Sequence, residues 1–179
     1  MSSGKKMRSP AHSIALVGIM AATLECGKLA LSFLPNIEIV TLLSALYGYV
    51  FGFLGVLAAF IFVIIEPLIY GFGTWVISYF IHWPLVALVF MLISKLKLRN
   101  RFGISAVAVV LTAWFGVLSS LVDIGLFSGT YENFWYRFGI YYARGVMFYV
   151  MQIACNAVLF PLLFPYLVKK LEKIKANQL

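Results

Sequence analysis

Few side chains in this sequence can do polar chemistry, and their types narrow what that chemistry is. The acids are Glu25, Glu38, Glu66, Asp123 and Glu132, with Glu172 near the end of the chain. Lys28, Arg137 and Arg144 fall in the same stretches as the first five. The two histidines, His12 and His82, are not at a metal-ligand spacing, so no metal site is expected. Gly27-Lys28 does not open a phosphate-binding loop: Ala22 stands where the upstream glycine is needed, and Leu29 replaces the magnesium-binding Ser or Thr. The linear order brings together neither paired acids nor a Ser/His/Asp set, so the chain is not expected to be an enzyme. Acids and cations among aromatic faces suit ligand binding better.

Several residues have spacings worth following. Trp75, Tyr79 and Trp83 recur at i, i+4 and i+8, which lines them along one helix face. With His82, and a kink expected at Pro84, that face either lines a cavity or forms part of an interfacial aromatic belt. Tyr131, Trp135 and Arg144 belong to the same aromatic, charged layer. Glu66-Pro67 reads either as a helix-end acid pairing with Lys28 or as a ligand-facing acid before a bend. Gln152 and Asn156, one turn apart, are interhelical glue or the floor of a pocket.

The elements that must position these residues follow from composition. Hydrophobic residues make up 63% of the 179 positions and charged residues 11%, against roughly a quarter charged in soluble domains. A chain this apolar has lipid as its solvent, and long continuous apolar runs select helices over a barrel. Six spans are expected, at about 11–33, 37–51, 53–70, 75–94, 104–127 and 140–168, as a single all-α membrane domain over 1–179. The basic residues cluster at Lys5, Lys6 and Arg8, at Lys95, Lys97, Arg99 and Arg101, and at Lys169, Lys170, Lys173 and Lys175. These clusters sit before the first span, after the fourth and after the sixth. That placement puts both termini in the cytoplasm and argues against a nucleic-acid partner. The first apolar run has no cleavage site after it and is expected to be retained as a span. Cys26 and Cys155, both in apolar runs, are expected to be small packing residues, not a disulfide.

In this topology the first five acids and the three remaining cations lie toward the outer end of the helices, while the inner halves are almost purely apolar. An outward-facing polar pocket with no continuous conducting path follows. The first span also carries Ala11, Ala15, Gly18 and Ala22 at spacings of four, three and four. This small-residue stripe serves either packing within the bundle or close approach by another membrane helix.

The stretch from Leu34 to Thr41 (Leu-Pro-Asn-Ile-Glu-Ile-Val-Thr) and the run from Glu66 through Gly71, Trp75 and Tyr79 to Trp83-Pro84 carry a family likeness. Together with size, span count and the stripe, they make the whole chain resemble the substrate-binding S component of energy-coupling factor (ECF) vitamin transporters. The cobalamin-type members are the most similar. The resemblance implies a subunit of the bacterial plasma membrane that captures a vitamin outside and has no cofactor of its own. Its first helix would dock, through Ala11, Ala15, Gly18 and Ala22, on a transmembrane coupling protein (EcfT) that carries two ATPase subunits. The implied vitamin contacts are Lys28, Asn36, Glu38, Glu66, Trp75, Tyr79, His82, Trp83, Asp123, Tyr131, Trp135, Arg144, Gln152 and Asn156. The ligand expected is cobalamin or a related corrinoid, with pantothenate or another small vitamin as the alternative. An assembly protein without a ligand, or a membrane enzyme, are the readings from other classes.

Overall fold

A computed structural model describes residues 9–34 and 37–177. Six helices follow one another with short connections: α1 (Pro10–Ala30), α2 (Val40–Phe51), α3 (Phe53–Tyr70), α4 (Trp75–Lys95), α5 (Arg101–Phe127) and α6 (Phe134–Asn177). No strand occurs among the described residues. Five of the helices are long and apolar enough to cross a membrane, while α2 is shorter. Its 12 residues rise only about 18 Å, against a hydrocarbon core of about 30 Å.

Local chemistry explains the boundaries. Pro10 at the first turn and the Ser9 side chain, which accepts from the His12 amide at 3.2 Å, start α1. The Glu38 carboxylate starts α2, accepting from the Thr41 amide at 2.8 Å. Gly52, at φ +65°, reverses the chain between α2 and α3, a backbone state that favours glycine. The α2–α4 contact is close enough that a Cβ on Gly48 would meet the Ala87 backbone carbonyl.

α2 is the hub, packing on α1, α3, α4 and α6, while α4 also touches α3 and α5. α1 lies outermost on α3, and α6 packs against α5 and α2. The core runs through the middle of this set, with Leu42, Phe62, Val86, Phe90, Phe160 and Phe164 almost wholly buried. Hydrogen bonds and packing join like ends. Lys28 near the end of α1 meets Glu66 near the end of α3, and the Tyr49 hydroxyl late in α2 donates to the Leu98 carbonyl beyond α4 at 3.3 Å. The helices therefore alternate in direction.

The structure departs from expectation at α6. The stretch 128–139, read as a loop, is already helical from Phe134, and the helix continues through Pro161 and Pro165 to Asn177. At 44 residues it is about 66 Å long, well beyond the bilayer core. Its buried residues, Asn156, Phe160, Phe164 and Val168, all fall in the second half at spacings of four, so its first half is only lightly packed. Pro84, where a kink was expected, is buried within a continuous α4.

Candidate functional site

The polar groups of one bundle end gather into two clusters joined by an aromatic ladder. In the first cluster, the Lys28 ammonium pairs with Glu66 Oε2; Glu66 is 0% exposed. The same ammonium lies 4.3 Å from the Tyr70 ring centroid and 5.4 Å from that of Tyr79. Glu25, one turn before Lys28 on α1, is buried beside Glu66. The folded chain therefore creates the paired acids that the linear order did not reveal, with Lys28 pairing with Glu66 alone. Three carboxylate oxygens, Glu25 Oε1 and Oε2 and Glu66 Oε1, are buried without a hydrogen-bond donor.

The second cluster lies where α2, α5 and α6 meet. The Asn156 amide donates to Glu38 Oε1 at 2.9 Å and to the Thr112 hydroxyl at 3.0 Å, while the Thr41 hydroxyl donates to the same Glu38 oxygen at 2.5 Å. Asn156 is 0% exposed, so interhelical glue describes its amide nitrogen; its Oδ1, however, has no partner. Gln152, one turn earlier on α6, is half-buried.

Between the clusters runs the expected α4 face. Ring centroids of Trp75 and Tyr79 are 5.0 Å apart and those of Tyr79 and Trp83 5.6 Å, both edge to face. Trp83 and His82 are buried against Phe115 of α5, at 6.0 Å and 4.8 Å. They form the base of the ladder, while Trp75 and Tyr79 above them are half-buried. Trp83 Nε1, His82 Nδ1 and the Ser78 hydroxyl are further buried polar atoms without partners. Buried polar groups in native proteins are nearly always satisfied by protein or ordered water, so this concentration singles the region out as the candidate site.

Other expected residues do not join this assembly. Tyr131 and Trp135 are each 75% exposed, and Arg144 is exposed on the lightly packed half of α6. The Tyr131 hydroxyl instead donates to the Gly125 carbonyl at 3.1 Å. Asp123 is half-buried on α5, and Asn36 lies outside the described residues. Sequence reasoning missed Thr112 and Phe115, and left Glu25 and Tyr70 out of the site. A threonine three residues before a phenylalanine inside the apolar α5 was the one available signal, because it places both on one face.

On α1, the face opposite the buried residues Val17, Met20, Ala21 and Leu24 carries the small stripe. Ala11, Ala15, Gly18 and Ala22 are all exposed, and a Cβ on Gly18 would meet nothing within 4 Å. Among the described residues the stripe is therefore not used for packing. Cys26 is also exposed, which corrects its expected role in packing; Cys155 is half-buried, and both thiols are free. No protein-family model, curated protein or solved structure matches this chain.

Proposed function

We propose that this chain is the vitamin-binding S component of an ECF-type uptake transporter in a bacterial plasma membrane, with six spans, both termini inside, and a corrinoid as its ligand. The observation that carries the reading is the group of buried, partnerless carboxylate oxygens on Glu25 and Glu66, beside Lys28 and the Tyr70, Tyr79 and Trp75 rings. A ligand rich in amide donors and broad apolar surface, such as cobalamin, complements acceptors set among aromatic faces. Lys28 is already engaged by Glu66, and the Arg137 guanidinium donates to the Thr130 carbonyl at 2.8 Å, which leaves fewer cations for a carboxylate vitamin such as pantothenate.

Energy and movement would come from partners: a transmembrane coupling protein docked on the exposed α1 stripe, and its two ATPase subunits. This reading is tested on purified protein. A corrin absorbance spectrum that co-purifies, or heat on titration with cyanocobalamin, is the expected result. A colourless protein that takes up pantothenate and not cyanocobalamin would move the assignment to a small vitamin. Silence toward a panel of vitamins would leave an assembly protein or an enzyme as the better description.

A further inference from the structure

At the opposite, basic end of the bundle a cleft opens between the α4–α5 connection and the second half of α6. Its floor is apolar, made by Ile104, Phe164 and Val168, each no more than 9% exposed. Its rim carries exposed Arg99, Lys169 and Glu172, and no ion pair joins any two of them. Tyr49 closes one side, its ring edge-on to Phe164 at 5.5 Å and its hydroxyl held by the Leu98 carbonyl. From Pro165 on the cleft wall, the same helix face leads one turn back to Leu162, which is 68% exposed.

We infer that this cleft seats a single-phosphate anionic phospholipid. The two rim cations and one acid leave a surplus of one positive charge, which matches one phosphodiester. The floor is apolar and continues onto an exposed apolar helix face, as a headgroup with an attached acyl chain requires and a free ion does not. Basic pockets between helices at a membrane surface recognise lipid headgroups by this combination of charge and depth. The inference rests on membrane embedding alone and does not depend on the vitamin assignment.

The test uses the purified full chain, delipidated in a neutral detergent, with lipid adducts counted by native mass spectrometry. Phosphatidylglycerol is expected to bind about tenfold more tightly than phosphatidylcholine, whose extra ammonium cancels the charge match. Arg99→Gln with Lys169→Gln should erase that preference, whereas Lys97→Gln with Lys173→Gln, which removes equal charge outside the cleft, should keep it. Equal binding of the two lipids by the unaltered protein overturns the site, whether or not the variants fold. So does an equal loss in both double variants, which would reveal diffuse attraction. Displacement of phosphatidylglycerol by millimolar inorganic phosphate would reduce the cleft to an ion site, and failure to bind either lipid would leave it for a protein partner. Both outcomes overturn the proposal.

Discussion

Among the described residues Lys28 is the only cation paired with the buried Glu66 carboxylate, and Glu25 lies beside the same carboxylate. Removing the ammonium while keeping the acids strands charge in a place with little water, and breaking a buried pair in this way costs about 3 kcal/mol or more. Lys28→Met is accordingly expected to lower unfolding stability in detergent by about that amount. Adding Glu66→Gln to it should recover most of the loss, because the carboxylate that Lys28 paired with is then gone and the new amide is a donor beside Glu25. An unaltered melting profile for Lys28→Met would mean the pair is solvated and the cluster is not a closed polar site. The sequence could mark Lys28 and Glu66 as partners, since both fall near helix ends on the same side. It could not mark the bond between Asn156 and Glu38, which are 118 positions apart. Nor could it decide whether Asn156 was glue or floor, because that depends on how closely α2, α5 and α6 converge.

Helix-scale features were more legible, because lipid leaves the backbone few choices and long apolar runs must become helices. The break between the apolar runs 37–51 and 53–70 falls at Gly52, where a residue tolerant of positive φ turns the chain without strain. The start of α6 was misread because Phe134-Trp135-Tyr136-Arg137 is aromatic and charged, a composition that resembles an interfacial loop. Its helix is nevertheless begun by backbone bonding, the Arg137 amide donating to the Asn133 carbonyl at 3.0 Å. Two glycines with opposite surroundings test the packing. Gly48→Ala drives a methyl group into the Ala87 backbone and should destabilise by about 3 kcal/mol, the upper end for overpacking. Gly18→Ala meets nothing and should be neutral or stabilising by up to about 1 kcal/mol, the helix-propensity difference. Equal effects in denaturant titrations of the two variants would show that α2 and α4 do not approach so closely.

At the scale of the molecule the two ends are chemically unequal. One holds buried acids and an aromatic ladder; the other holds basic connections over an apolar cleft, and the exposed stripe of α1 begins at that basic end. Among the described residues nothing in this division offers a polar route from end to end. Under the proposed function the exposed stripe is the surface on which a partner docks. Ala15 is exposed, so Ala15→Trp should leave cyanocobalamin binding by the purified protein within about twofold of normal, less than 0.5 kcal/mol. If the proposed function holds, the same change should reduce corrinoid uptake by cells expressing this chain at least tenfold, because an indole on the stripe keeps a second helix from close approach. Ala15→Gly, which keeps the groove open, should retain uptake. Loss of binding in Ala15→Trp would place the stripe in the ligand site's own support. Normal uptake together with normal binding would remove the stripe from any docking role.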